Sequence, residues 1–186
     1  MADLVLEHFK LIWQKKEIIQ VPSIVVKDPI VSICVQTFNQ VNYIEVYLNS
    51  LLSQLTTFTF EILLAEDDSN DGTRLICENY ARKYPDKIKL FLHCRENNIR
   101  ISGELSANFP GLYNLLSARG KYLAICEGDD QWNDPYKLQK QVDFLNNNPS
   151  YSLVYHSYKT IDHNSKEIIS TEEKNQPQKD LSKEEV

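Results

Sequence analysis

The chain has 186 residues, the size of one ordinary domain with tails, so we expect a single globular unit. Twenty basic residues against twenty-six acidic ones leave a net charge of −6, and no basic tract is long enough to follow a phosphate backbone. We therefore expect no nucleic acid partner. The four cysteines form no C-x-x-C pair, which favours a reducing, cytoplasmic setting. The sequence has no run of about eighteen apolar residues that could span a membrane.

Residues 1–29 are predicted to form a largely helical N-terminal extension. Leu4, Phe9 and Trp13 are apolar residues of this segment, and Lys10 and Lys15 lie among them, as in an amphipathic helix. Such a helix packs against its own domain or lies on a membrane or a partner. Because the basic cluster is small, we favour packing and keep peripheral membrane association as the alternative.

From Val31 onward, short β-type runs alternate with segments of helical period. The predicted strands are 31–35, 60–65, 88–93, 122–126 and 152–158. The first predicted helix has an apolar face of Ile44, Tyr47, Leu48, Leu51 and Leu55. The others are a helix from Thr73 to Tyr84, a weaker one over 106–118, and one that starts at Asp134-Pro135. This alternation predicts an α/β fold with a mostly parallel central sheet and helices on both faces. In such sheets, ligands bind beyond the carboxyl ends of the strands.

Polar and acidic residues follow three of these strands. The first runs into Gln36-Thr37-Phe38-Asn39, the second into Glu66-Asp67-Asp68, and the fourth into Glu127-Gly128-Asp129-Asp130. Carboxylates gathered at one sheet edge repel one another unless a cation joins them, and Mg²⁺ or Mn²⁺ prefers such oxygen ligands. The chain has neither G-x-G-x-x-G nor a Walker loop, so a diphosphate bound here needs a metal to neutralise it.

Three motifs in order, V-S-I-C-V-Q-T-F-N, E-D-D-S-N-D-G-T and Y-L-A-I-C-E-G-D-D-Q-W-N-D-P-Y-K-L-Q-K-Q, carry a resemblance to a known family. With them, the chain resembles the family-2 glycosyltransferases of the GT-A fold, a Rossmann-like three-layer sandwich. The resemblance implies that Phe38 stacks on the nucleobase, Asp67 hydrogen-bonds the base, and Asp129 lies near the ribose. The implied donor-binding residues are Thr37, Phe38, Asn39, Glu66, Asp67 and Asp129, and the implied metal ligands, in the D-x-D-type motif, are Asp130, Asp129 and Glu127.

The resemblance also implies an activity. Proteins of this family transfer a sugar from a nucleotide-diphosphate donor to an acceptor hydroxyl with inversion, often in the synthesis of surface polysaccharide. The resemblance implies that this chain is a hexosyltransferase-like enzyme. The implied acceptor is a saccharide or lipid-linked saccharide, and the implied location is the cytoplasm or the inner face of the plasma membrane. The resemblance covers about residues 30–160, and we expect residues 30–162 to form the donor-binding domain.

Two departures from the family pattern qualify this expectation. Glu66 stands where the second motif usually has an aspartate. Inversion also needs a general base, and Asp162, Glu167, Glu172 and Glu173 lie in unpatterned sequence, so no catalytic residue is assigned. We expect residues 163–186 to be a disordered tail or the start of an acceptor region. The alternative function is a nucleotide-sugar-binding module without transferase activity of its own.

Other interpretations compete for several of these residues. Asp129 and Asp130 are also typical of a solvated turn before a helix. The spacing from Asp67 to Glu78 matches most of an EF-hand calcium loop, although the preceding residues 60–64 read as strand where that motif needs a helix. Arg95, in the loop after the third strand, either reaches the diphosphate or is solvated at the surface.

Overall fold

The computed structural model describes residues 2–105, 108–162 and 168–171. Its helices are α1 (Ala2–Trp13), α2 (Ile44–Leu52), α3 (Thr73–Lys83), α4 (Asn108–Ser117) and α5 (Lys137–Asn147), with a 3₁₀ turn at Arg95–Asn97. Its strands are β1 (Ile19–Gln20), β2 (Val31–Thr37), β3 (Phe60–Glu66), β4 (Ile88–Leu92), β5 (Arg100–Ile101), β6 (Glu104–Leu105), β7 (Tyr122–Glu127), β8 (Lys159–Ile161) and β9 (Ile168–Thr171). The chain forms two compact units, residues 1–137 and 138–186, whereas its length predicted one.

The first unit is built on a five-stranded sheet in the order β1-β4-β3-β2-β7. The pairs β4-β3, β3-β2 and β2-β7 are parallel, and β1 joins β4 in the antiparallel sense. Every residue of β3 is buried, as expected for a central parallel strand covered on both faces. The predicted α/β fold with a mostly parallel sheet is therefore confirmed.

Helices cover both faces of this sheet. On one face, a cluster of buried residues joins α1 and α4 to the strands: Phe9, Cys34, Leu63, Phe91, Phe109 and Tyr113. Alternate strand residues point the other way, where α2 and α3 lie and bury Tyr47, Leu48, Leu51 and Cys77. Leu55 does not belong to the predicted helix face, because α2 ends at Leu52 and the Leu55 side chain is half exposed.

The N-terminal helix packs on the domain, as predicted. Phe9 is buried, and its ring centroid lies 5.0 Å from that of Phe109. The other side of α1 exposes Leu4 (76%) and Leu11 (85%), so membrane association stays a prediction. In the described part of the chain, no helix has the length and apolar character needed to cross a bilayer.

A buried carboxylate network closes the amino-terminal edge of the sheet. Glu61 is fully buried at the start of β3, where one oxygen accepts from the Ser32 hydroxyl at 2.7 Å and the other from the Arg119 guanidinium at 2.7 Å. The Arg119 backbone N–H also donates to Glu61, at 3.2 Å. These bonds join β2, β3 and the segment before β7, so both oxygens of this buried charge have partners.

The helix predicted to start at Asp134-Pro135 begins later, at Lys137. Pro135 lies in the turn before it, where Asp134 Oδ1 accepts from the Tyr136 N–H at 2.9 Å. The aspartate therefore closes a turn on a nearby backbone N–H, and the helix starts two residues after the proline.

The strand predicted over 152–158 is wrong. These residues are irregular, and the strand of this region is β8, which pairs with β9. An apolar pattern does not by itself supply a pairing partner, and Leu153 is 56% exposed. Apart from β9, the predicted tail over 163–186 lies outside the described residues.

Candidate functional site

The strand ends that carry the predicted site residues meet at one edge of the sheet. The strand register pairs Thr37 with Glu66 and Gln36 with Glu127, so the loops after β2, β3 and β7 leave side by side. Gly128 makes this close approach possible, since a Cβ there would lie 3.0 Å from the Thr37 Cβ. The structure therefore brings together the three polar segments that the sequence predicted to share an edge.

Asp67 is the buried carboxylate of this edge. Its side chain is almost fully buried, and Oδ2 accepts from Asn98 Nδ2 at 2.7 Å and from the Arg95 guanidinium at 2.8 Å. Its other oxygen, Oδ1, has no hydrogen-bond partner among the described residues. Burial raises the pKa of this carboxyl, against the opposing effects of the Asn98 hydrogen bond and the Arg95 charge. Asp67 therefore has one buried acceptor oxygen that no described protein group satisfies.

Phe38 lies beside Asp67, just after the end of β2. Its side chain is 38% exposed, and the Arg95 guanidinium carbon lies 3.8 Å from its ring centroid. Arg95 thus covers one face of the ring while it binds Asp67. A planar ligand that stacks on Phe38 either takes the opposite face or displaces Arg95.

Glu66 has partners inside the protein for both carboxylate oxygens. It is fully buried, Oε1 accepts from the Ser69 N–H at 2.7 Å, and Oε2 pairs with Arg74 Nε. Arg74 also donates to the His93 carbonyl at 2.9 Å and lies 3.4 Å from Asp68. In this structure Glu66 holds the β3–α3 loop in place, and its role in donor binding stays a prediction.

Thr37 and Asn39 join the neighbouring loops. The Thr37 carbonyl accepts from the Asp67 N–H at 3.0 Å, and its hydroxyl bonds Gln40. Asn39 adopts a positive φ of 51°, receives the Asn70 N–H on its side chain at 3.1 Å, and donates its own N–H to the Ser69 hydroxyl at 3.0 Å. Both residues therefore shape the edge at which Phe38 and Asp67 lie.

The acidic turn after β7 is exposed to solvent. Glu127, Asp129 and Asp130 are all exposed, and the Asp130 N–H closes the turn on the Glu127 carbonyl at 3.3 Å. The Cys126 thiol lies 3.5 Å from Asp130 Oδ2, and Cys126 also accepts from Trp132 Nε1 at 3.1 Å. Burial raises the pKa of Cys126 to about 11, so it stays a thiol that can donate to Asp130.

The carboxylates of the acidic turn suit a metal ion whose coordination shell is completed by substrate. Among the described residues, no group of three or more His, Cys, Asp or Glu side chains forms a ready cage for a cation. Mg²⁺ is commonly bound by one or two carboxylates together with substrate phosphates and water. The exposed carboxylates of Asp129 and Asp130 fit that second type of site.

Several side chains at this edge were not found from the sequence. Asn98 binds Asp67, Arg74 binds Glu66, and Cys126 contacts Asp130. The residue types alone carry no sequence signal for these side-chain partners, which only the folded chain brings together.

Two of the sequence interpretations change with the structure. Arg95 was predicted either to be solvated at the surface or to reach the diphosphate. In the structure it binds Asp67 and covers one face of the Phe38 ring. The calcium-loop interpretation is wrong, because a buried strand and not a helix precedes Asp67.

Comparison with known proteins decides the family. The model described as Glycosyl transferase family 2 matches residues 32–184. The chain belongs to this family. Rv1520 of Mycobacterium tuberculosis is 40% identical over 125 residues, which are 67% of this chain and 34% of that protein. The minor teichoic acid biosynthesis protein GgaA of Bacillus subtilis is 32% identical over 116 residues, which are 61% of this chain and 24% of GgaA.

Solved structures show the same fold. The crystal structure of residues 1–349 of S. aureus TarS is similar over 64% of this chain and 33% of that one, with 27% identity and a TM-score of 0.50. The mannosyltransferase PcManGT from Pyrobaculum calidifontis, solved with GDP-Man and Mn²⁺, is similar over 83% of this chain and 43% of its own, with 22% identity and a TM-score of 0.53. The GT-A fold is confirmed. The chain spans about a third of the length of the first curated relatives it matches.

Proposed function

We propose that this glycosyltransferase domain binds a nucleotide-diphosphate sugar at the carboxyl edge of its sheet, and that the protein transfers the sugar to an acceptor hydroxyl with inversion. The observation that carries the proposal is Asp67, a buried carboxylate with one oxygen that has no partner among the described residues, beside the exposed ring of Phe38. An unsatisfied buried acceptor is costly unless a ligand completes it. A nucleobase offers both an N–H donor for Asp67 and a flat face for Phe38.

The remaining donor contacts follow from the acidic turn. We assign the ribose to Asp129 and a divalent cation, Mg²⁺ or Mn²⁺, to Asp130, with Glu127 as an accessory ligand. When bound, the cation neutralises the charge that develops on the departing nucleoside diphosphate. Cys126 orients the Asp130 carboxylate through the contact at 3.5 Å. Thr37 holds the loop of Asp67 in place through its carbonyl.

A melting-temperature screen across uridine, guanosine and thymidine diphosphate sugars tests this proposal. A ligand at about one hundred times its Kd stabilises a protein by about 2.7 kcal/mol, which raises the Tm of a domain this size by roughly 5–10 °C. We expect such a rise only with Mn²⁺ or Mg²⁺ present. Asp130→Ala should remove the metal-dependent part, whereas Asp86→Ala, an exposed aspartate before β4, should not. No rise with any nucleotide sugar in the presence of metal would overturn the proposal.

The second candidate function is a nucleotide-sugar-binding module that does not transfer sugar on its own. It is favoured because no residue of the chain is assigned as the general base. Both candidates predict the same binding, so turnover separates them. Incubation of the 186-residue chain with a donor that it binds and with saccharide acceptors should yield a glycosylated acceptor together with free nucleoside diphosphate only if the chain itself is a transferase.

We further propose that the acceptor is a saccharide or lipid-linked saccharide of a surface polysaccharide, used at the inner face of the plasma membrane. GgaA, a minor teichoic acid biosynthesis protein, is a relative that supports this class of pathway. The apolar side chains exposed on α1, Leu4 and Leu11, are the surface that would touch lipid. Co-sedimentation with anionic vesicles should be lost in Leu4→Glu/Leu11→Glu, and binding that persists in this variant would argue against the α1 surface.

A further inference from the structure

We infer that the N-terminal segment, residues 2–20, is a positioning element of the donor site, and that it acts through Asn97. The inference rests on the proposed function, because it gives the segment a role in binding the same nucleotide. The family match begins at residue 32, so this segment lies outside the part of the chain that matches the family. Its role is therefore not one that the family model describes.

Asn97 clamps the main chain of the N-terminal segment. Its side-chain oxygen accepts from the backbone N–H groups of Lys15, at 2.8 Å, and Lys16, at 2.7 Å. Its side-chain nitrogen donates to the Lys16 carbonyl at 3.0 Å. Asn97 itself is almost fully buried. These three bonds need a hydrogen-bond acceptor and a donor on one short side chain, and the asparagine amide group has both.

The clamp acts on the turn that holds Asp67. Asn97 ends the 3₁₀ turn that begins at Arg95, and the backbone N–H of Asn98 bonds the Arg95 carbonyl at 3.0 Å. The side chains of Arg95, the first residue of the turn, and Asn98, the residue just after it, are the two donors to Asp67 Oδ2. Fixing this turn keeps both donors on Oδ2, whereas Oδ1 has no partner among the described residues.

The segment is anchored on both sides of the clamp. Before it, Phe9 packs in the cluster that contains Phe91 and Phe109. After it, β1 pairs with β4, with Ile19 opposite Leu92 at the strand end that leads into the turn. The clamp therefore joins the donor-site turn to a segment that is itself held by the sheet and the core.

The segment also contributes charge to the surroundings of the site. Lys16 Nζ lies 3.6 Å from Glu96 Oε1, within the same turn. Lys15 lines a cleft of about 300 Å³ together with Arg95, Glu96 and Arg100. The N-terminal segment thus places a lysine near the arginine that contacts both Phe38 and Asp67.

Nucleotide affinity separates positioning from a purely structural role. The probes are UDP, GDP and dTDP, titrated calorimetrically at saturating Mn²⁺ into the whole 186-residue chain. Asn97→Ala should weaken the Kd of the nucleotide that binds the wild type about tenfold, as expected when a positioning contact is lost. Its Mn²⁺ requirement should be unchanged, because the acidic turn lies on a different strand.

The matched control is Arg119→Met. This change disrupts the buried network at the opposite edge of the sheet, where the Arg119 guanidinium binds Glu61 at 2.7 Å. It should lower stability without changing the Kd. A loss of affinity in Asn97→Ala that exceeds the loss in this control therefore reports on positioning and not on general destabilisation.

The pH dependence of binding is a second readout. In the wild type, burial and the nearby Glu66 and Asp68 carboxylates raise the pKa of Asp67, and the Asn98 hydrogen bond and the Arg95 charge oppose that rise. If Asn97→Ala loosens both donors, protonation of Asp67 should abolish binding at a higher pH than in the wild type. A purely structural role for Asn97 would leave this pH unchanged.

Hydrogen exchange of the wild type tests the inference without any substitution. Nucleotide binding should slow exchange at the Lys15 and Lys16 amides together with the 95–98 turn. Protection of the turn alone, or an unchanged Kd in Asn97→Ala, would overturn the inference. If the wild type binds none of the three nucleotides, the proposed function fails instead, so the two failures are distinguishable.

Discussion

Two buried carboxylates at opposite ends of β3 differ in how completely the protein satisfies them. Glu61, at the amino-terminal end, has partners on both oxygens, from Ser32 and Arg119. Asp67, just beyond the carboxyl end, has two donors on Oδ2 and no partner for Oδ1 among the described residues. Both are buried, so burial alone does not distinguish a structural carboxylate from a ligand-binding one.

The difference lies in where the hydrogen bonds go. A buried charge whose lone pairs are filled by the protein stabilises one arrangement of the chain. A buried carboxylate with one oxygen that lacks a hydrogen-bond partner is stabilised when a ligand donates a hydrogen bond to that oxygen. Glu66 lies next to Asp67 and yet belongs with Glu61, because Ser69 and Arg74 occupy its oxygens. The comparison therefore predicts different responses to substitution at the two edges.

The largest effect is expected at the amino-terminal edge. Arg119→Met removes the guanidinium from the buried Glu61 and should lower the free energy of unfolding by about 3 kcal/mol, since a buried charge loses its partner. Denaturant unfolding measures this loss. Arg82→Met is the control, because Arg82 is exposed, its partner Glu78 is only partly buried, and such a pair should contribute under about 1 kcal/mol. Equal losses in the two variants would break the comparison.

His93 offers a third kind of buried polar group, one that stays neutral. Its ring nitrogens have no hydrogen-bond partner among the described residues, and burial lowers its pKa to about 4 from 6.5. The unfolded chain therefore binds a proton that the folded chain does not, and stability should fall as pH falls from about 6.5 to about 4. His93→Phe should reduce that fall by about 2–3 kcal/mol. Denaturant unfolding at several pH values measures it, and an unchanged pH dependence would contradict the assignment.

The smallest change in free energy is expected at Asp67. Asp67→Asn places an N–H group or a weaker acceptor where the base N–H should bind, so nucleotide affinity should fall about tenfold to one hundredfold, or about 1.4–2.7 kcal/mol. Stability should change little, because the buried carboxylate becomes a neutral side chain of the same shape and the Arg95 guanidinium that loses its partner is 32% exposed and can be solvated. Calorimetric titration and denaturant unfolding check the two halves separately. A large loss of stability with unchanged nucleotide affinity would show that Asp67 is a structural carboxylate, as Glu61 is.

The sequence predicted the sheet and the shared edge because both depend on local periodicity and chain order. Strand residues that are buried on both faces read as continuous apolar runs, and the strands of a parallel sheet end at the same edge. The places of Phe38 and Asp67 at this edge were therefore predicted from such runs, and that of Asp130 from the apolar run of β7, which is only partly buried. Their roles in donor and metal binding stay predictions. The strand at 152–158 was predicted wrongly because pairing needs a neighbour that periodicity does not reveal.

Only the tertiary structure determined which buried polar groups have hydrogen-bond partners within the protein. Whether Glu66 or Asp67 keeps an oxygen without a protein partner depends on Arg74, Arg95 and Asn98, whose side chains come from other segments of the chain. By itself the sequence determined the α/β alternation, the strand ends and the acidic turn after β7, because these depend on residue types at fixed spacing. The clamp of Asn97 on the N-terminal segment joins residues more than eighty positions apart, and only folding brings them together.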